Sequence, residues 1–150
     1  MPGSGNPRHT PLLVEYGSPN YRACVELRNM VLRRPLDLIL TPEQIQTEAD
    51  DMHIGCLKDS LLVGCVVLTP LSSLHIRLRQ MAVHPAFRGR GIGTALVSYS
   101  EQEARTRGFS QCILHARENA VPFYLKQGYA LEGATFTEVS LPHRLMRKTL

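Results

Sequence analysis

The 150-residue chain contains no tryptophan, and aromatic residues make up only 6% of it. So few stacking side chains, with no recognisable reader motif, argue against a nucleic-acid-binding domain. The net charge of +4 would suit such a domain, but it suits any anionic ligand equally well. No apolar run approaches the ~18 residues of a membrane-spanning helix, so no membrane partner is expected. The opening "MPGSGNPRHTP" lacks the apolar centre of a signal peptide, and residues 1–10 read as a loose tail. The four cysteines (Cys24, Cys56, Cys65 and Cys112) show no C-x-x-C spacing. That argues against zinc, or any metal, and for reduced thiols in a cytoplasmic protein. Cys56 and Cys65 could face each other across a hairpin, although nothing requires a bridge. The Walker phosphate loop is missing, since there is no Gly-Lys-Ser/Thr.

What is present is 43% hydrophobic sequence, enough for the core of one domain over residues 1–150. Pro11 to Tyr16 reads as a strand. Ser18-Pro19 then supplies an N-cap and a first-turn proline, and Cys24, Leu27 and Val31 carry a helix to about Arg33. "TPEQ" (Thr41 to Gln44) has the form of a capping box and starts a second helix. Two apolar runs flank Lys58-Asp59, which reads as a hairpin turn. From Leu74 to Val83 the alternation slips. Leu74, Ile76 and Leu78 are apolar on even numbers, then Met81 and Val83 on odd ones. A period of two that slips by one residue predicts a β-bulge near Arg79–Gln80. Ile92, Ala95, Leu96 and Tyr99 mark a helix that Gly108 ends. Gln111 to Ala116 is a strand. Asn119 is placed to cap a short helix running to Gln127, and two more strands are expected around Tyr129–Glu132 and Leu145–Thr149. The fold class is mixed α/β, with a mainly antiparallel front half.

The stretch "RGRGIG" (Arg88 to Gly93) joins the bulged strand to a helix N-terminus. Unpaired amides and the helix dipole favour an anion at such a place, and glycine lets backbone approach a phosphate closely. Arg88 and Arg90 add positive charge. A dinucleotide fingerprint is not completed, because Thr94 and Ala95 follow the last glycine.

These residues resemble the GNAT superfamily of N-acetyltransferases. "RGRGIG" matches its Q/R-x-x-G-x-G/A signature, "LRQMAV" (Leu78 to Val83) its bulged strand, and "ARENAVPFYLKQGY" (Ala116 to Tyr129) its second motif. The resemblance covers most of the chain, while the first 50 residues match only in element order. It implies an acyl-CoA N-acyltransferase fold: a twisted, mostly antiparallel sheet, splayed at the bulge and flanked by helices. It further implies acetyl-CoA as co-substrate and an amine acceptor, attacked directly in a ternary complex. Backbone amides of Arg88, Gly89, Arg90, Gly91, Ile92, Gly93 and Thr94 would hold the pyrophosphate. The main chain of Met81, Ala82 and Val83 would pair with the pantetheine arm. Asn119 matches a position that touches the cofactor in the family, although a plain helix N-cap serves equally well. Tyr124 matches the tyrosine that can protonate the leaving thiolate.

For the base, many family members carry a glutamate on the bulged strand. Here that strand has His75, Arg77, Arg79 and Gln80. Glu138 and His143, in an F-x-E-x-x-x-P-H-x-x-M ending, resemble residues of a subgroup and are the remaining candidates. His143 is expected beyond a polar loop beginning at Glu138, and histidine titrates in the required range. The acidic stretch Glu43 to Asp51 reads as a solvated helix face, or as an attraction for a cationic amine. The acceptor is a small-molecule or peptide amine, and a homodimer is left open. Two other classes compete: a CoA-binding sensor of the same fold without turnover, and the basic nucleic-acid domain already disfavoured.

Overall fold

The computed structural model describes residues 9–150, so residues 1–8 of the expected loose tail lie outside the described residues. Thr10, assigned to that tail, already belongs to the first strand, β1 (Thr10–Val14). The other elements are α1 (Pro19–Arg28), α2 (Pro42–Thr47), β2 (Met52–Lys58), β3 (Leu61–Pro70), β4 (His75–Val83), α3 (Ile92–Thr106), β5 (Gln111–Arg117), α4 (Val121–Lys126), β6 (Ala130–Glu138) and β7 (Leu141–Thr149). The strands form one open seven-stranded sheet in the order β1-β2-β3-β4-β5-β7-β6. The β1/β2, β5/β7 and β6/β7 pairs are antiparallel, whereas β4 and β5 run parallel, with His75–Leu78 against Gln111–Leu114. The helix α3 makes the crossover that a parallel pair requires. Among the described residues no helix is long and apolar enough to cross a membrane.

Local chemistry explains most boundaries. Ser18 caps α1, its Oγ accepting from the Tyr21 amide at 3.2 Å, with Pro19 in the first turn. The α-helix stops at Arg28 and not near Arg33, because Asn29–Arg33 widens into a π-turn followed by a 3-10 turn that Asp37 closes at φ 58°. Both bonds of the Thr41–Gln44 capping box form, at 3.1 and 2.9 Å. The β2–β3 turn is centred on Asp59-Ser60, one residue later than expected, with both at positive φ (50° and 70°), which matches the twist of a two-residue hairpin. Gly108, at φ 90°, ends α3, and Phe109 donates back to the Ala104 carbonyl at 3.0 Å.

Two compact units are distinguished. One takes the described residues up to Val67 together with Gln80–Tyr99; the other takes Leu68–Arg79 and Ser100–Leu150. The first has a core of Val14, Tyr21, Cys24, Leu27, Leu62, Cys65 and Ala82. In the second, Cys112, Leu114, Tyr124, Tyr129 and Met146 are among the buried residues. All four cysteines are free and buried. Cys65 directs its thiol at the Cys24 carbonyl, 3.7 Å away.

Candidate functional site

The glycine loop belongs to the first unit. Its start is fixed to β3, since the His84 amide donates to the Val63 carbonyl at 2.8 Å. His84 Nδ1 then accepts from the Ala86 amide, capping a 3-10 turn over Pro85–Phe87. The helix that follows is also seated on β3. A Cβ on Gly64 would lie 2.7 Å from Ile92 Cγ2 and 3.0 Å from Leu96 Cδ1, so only glycine lets the first turns of α3 come this close. Gly89 and Gly91 have φ of 75° and 80°, and at both the space where a Cβ would stand is open. Gly93 is ordinary helix. Ala95 makes the first helical bond, to the Gly91 carbonyl at 3.0 Å, so the amides of Ile92 and Gly93 precede it. The Arg88 amide closes a turn onto Pro85 at 3.5 Å and is thus less available than the amides after it. Arg88 is exposed, while the Arg90 guanidinium lies 5.3 Å from the Phe87 ring centroid, with Lys58 5.1 Å from the same ring. Left-handed glycines with open approach, a helix N-terminus and nearby cations fit a pyrophosphate.

Gln80, where the alternation was expected to slip, has a left-handed backbone, φ 53°, within β4. One detail differs. Met81 and Val83 were expected to take over the buried face, but Ala82 is the buried residue and its neighbours are half-buried. The Gln80 side chain is held from α1. Arg28 Nη1 donates to Gln80 Oε1 at 2.9 Å and to Glu48 Oε2 at 3.1 Å. Arg28 and Glu48 are each only 1% exposed, and Tyr21 Oη donates to Glu48 at 2.6 Å. Burial opposes the charge of Glu48, yet hydrogen bonds from Arg28 and Tyr21 hold its carboxyl below the usual range. The acidic stretch is therefore not simply a solvated face.

The remaining candidates lie in the second unit. Tyr124 is buried in α4, its ring edge-on to Phe123 at 5.0 Å and to Tyr129 at 5.9 Å. Burial pushes its phenol above the ordinary value, which keeps the proton on the oxygen at neutral pH. Asn119 is not a helix cap. It sits exposed inside a 3-10 turn, Glu118–Ala120, and α4 begins after Ala120 with no side-chain cap.

The expected polar loop after Glu138 is a tight hairpin instead. Val139 and Ser140, at φ 45° and 63°, join β6 directly to β7. Phe136 pairs with His143 and Glu138 with Leu141. Glu138 and His143 come together, Oε2 to Nε2 at 3.7 Å. His143 is 3% exposed, and its Nδ1 lies 2.9 Å from the Leu141 carbonyl. A carbonyl only accepts, so Nδ1 carries a proton, and it is Nε2 that faces Glu138.

Glu138 also meets two residues that the sequence did not mark. His115 Nδ1 lies 2.9 Å from its Oε1, and Arg77 Nη2 lies 3.8 Å from it. Burial works against the Glu138 charge, but the His115 hydrogen bond and the nearby Arg77 and His143 hold its carboxyl below the usual range. The register aligns Arg77 with Ile113, and alternation brings His115 to the same face. The polar residues recurring on that face, His75, Arg77 and Arg79 of β4 and Gln111, His115 and Arg117 of β5, were the available signal, although Ile113 interrupts them.

The N-acetyltransferase YjcF of Bacillus subtilis, itself uncharacterized, is 36% identical over 73 residues, 48% of this chain and 52% of its own. The chain spans about half the length of the curated relatives it matches. An acyl-CoA N-acyltransferase of Pseudomonas aeruginosa superposes with a TM-score of 0.77 at 19% identity, covering 95% of this chain and all 100% of that one. A GNAT family acetyltransferase of Elizabethkingia anophelis, crystallised with acetyl-CoA bound, gives 0.74 at 16%, covering 95% and 98%. At these identities the structures establish the acyl-CoA N-acyltransferase fold. A model of the acetyltransferase (GNAT) family matches residues 21–129, and the chain belongs to that family.

Proposed function

We propose that this protein transfers the acetyl group of acetyl-CoA to a primary amine by direct attack. The observation that carries the reading is the pair of left-handed glycines, Gly89 and Gly91, with open space at each, directly before α3. Acetyl-CoA, when bound, supplies a thioester whose carbonyl carbon the amine attacks and whose thiolate leaves. In this reading the amides from Gly89 to Thr94, with a lesser part for Arg88, hold the pyrophosphate. Backbone groups of Met81, Ala82 and Val83 bind the pantetheine arm, and a main-chain N–H there stabilises the developing oxyanion. Asn119 contacts the cofactor. Tyr124, protonated at neutral pH, donates to the departing sulfur.

Glu138 and His143 divide the work of the base. Glu138, the more exposed of the two at 38% of its side chain, attracts the ammonium. His143 accepts the proton at Nε2, directly or through water, and the adjacent carboxylate stabilises the imidazolium that forms. The oxyanion donor, the acid and the base are all supplied by this chain's own groups.

The test is release of free CoA from acetyl-CoA over a panel of polyamines, amino sugars, amino acids and peptides, with calorimetric titration of acetyl-CoA alongside. Amine-dependent release with an acetylated product is expected. Acetyl-CoA binding without turnover on any amine would instead assign a sensor, and absence of binding would overturn the reading entirely.

A further inference from the structure

The guanidinium of Arg77 has more donors than there are acceptors within reach. Its Nε is buried and meets no acceptor. Its Nη2 lies 2.9 Å from His115 Nδ1, and Glu138 Oε1 lies 2.9 Å from that same nitrogen. One ring nitrogen cannot serve both. To accept from Arg77 it must present a lone pair; to donate to Glu138 it must carry the proton. The direct separation of Arg77 from Glu138, 3.8 Å, is too long for a hydrogen bond. Whichever form His115 takes, either the guanidinium or the carboxylate faces the wrong partner. The guanidinium is half-buried, so water does not fully make up the deficit.

An oxyanion would resolve this. A carboxylate matches the planar fork of a guanidinium and accepts from two of its nitrogens at once. It would draw Arg77 away from His115 Nδ1 and leave that nitrogen free to donate to Glu138. Glu138 in turn sits beside Arg77, so a ligand bearing an anionic and a cationic group a few bonds apart can reach both. Ile113 and Leu145 share the face of β5 and β7 on which the cluster lies, so the chain between its polar members is apolar.

We propose that the acceptor amine carries a carboxylate close to its amino group, with Arg77 binding the carboxylate and Glu138 the ammonium. The inference rests on the acetyltransferase reading for the word acceptor, but the anionic subsite stands on the geometry alone.

The experiment compares matched acceptors that differ only in this group: an amino acid, its carboxamide, and the amine left by removing the carboxylate. At saturating acetyl-CoA, kcat/KM should favour the amino acid by roughly 10- to 100-fold, the range of a charged hydrogen bond. Arg77→Gln should collapse that ratio towards one, mainly through KM, and Arg77→Lys should restore part of it. The second variant also serves if the first does not fold. Equal kcat/KM across the matched set in the wild type overturns the proposal. So does an equal loss on every acceptor in Arg77→Gln, which would make Arg77 only a support for Glu138.

Calorimetry separates the two readings. The N-acetylated amino acid and its amide are titrated into the protein with CoA present. Carboxylate-selective binding that Arg77→Gln abolishes, without turnover on any amine, sinks the transferase and keeps the subsite. Turnover without carboxylate selectivity does the reverse. Neither selective binding nor selective turnover ends the proposal.

Discussion

Arg28, the last residue of α1, holds the side chain of Gln80 at 2.9 Å, and Gln80 is the residue of β4 with a left-handed backbone, φ 53°. The link runs over 52 residues of sequence and depends on a buried ion pair, because Glu48 fixes the other edge of the guanidinium. Glu48→Ala would leave a buried charge without its counterion, at a cost of about 3–5 kcal/mol. Urea unfolding at neutral pH measures it. Because the folded state holds the Glu48 carboxyl below its unfolded value, the contribution is fully present above the unfolded pKa, about 4.3, and is lost as pH falls through the folded one. The wild type should therefore lose more stability than Glu48→Ala between pH 5 and the acid limit. Parallel acid profiles for the two proteins would contradict this.

Gly91→Val is expected to abolish the stabilisation by acetyl-CoA, about 2.7 kcal/mol at one hundred times the dissociation constant. The new Cβ would enter open space, so the folded state without ligand suffers only from the φ of 80°, about 1–2 kcal/mol. Thermal melts with and without acetyl-CoA decide it. A melting shift equal to that of the wild type would remove the loop from the site.

Tyr124→Phe should lower kcat by roughly 10²- to 10⁴-fold while leaving the dissociation constant of acetyl-CoA nearly unchanged, since the buried ring is retained and only the proton donor is lost. Single-turnover kinetics, where chemistry limits the rate, provide the measurement. An unchanged rate reduces Tyr124 to a core aromatic.

His143→Ala should slow turnover most below pH ~8, where the acceptor is largely protonated. A pH profile of kcat/KM distinguishes this from substrate positioning, which would lower the whole curve evenly. Since His143 is buried against Phe136, His143→Gln is the companion variant that keeps the volume.

The irregularity at Gln80, the capping box and the left-handed glycines before α3 were legible because each is written locally. A slip in alternation, Thr-Pro-Glu-Gln, and glycines before a helical period need no knowledge of distant contacts. The Arg28–Gln80 link and the Arg77–His115–Glu138 cluster were not legible, because nothing near Arg28 or Arg77 in the chain names a partner 52 or 38 residues away. The Val139–Ser140 turn was missed for another reason. It carries positive φ without glycine or asparagine, so the usual marker of a tight hairpin is absent. Asn119 misled in the opposite way, being a good capping residue that the chain uses inside a 3-10 turn.

The buried thiols have a kinetic consequence. Burial pushes both Cys56 and Cys112 up to about 11, so at neutral pH almost no thiolate is present in the closed protein. An alkylating reagent must then wait for the chain to open. Cys24, Cys56 and Cys65 lie in one compact unit and Cys112 in the other. Each unit thus contains its own chemical clock, and the labelling rates of Cys56 and Cys112, read separately by mass spectrometry, report whether the two units breathe in step or apart.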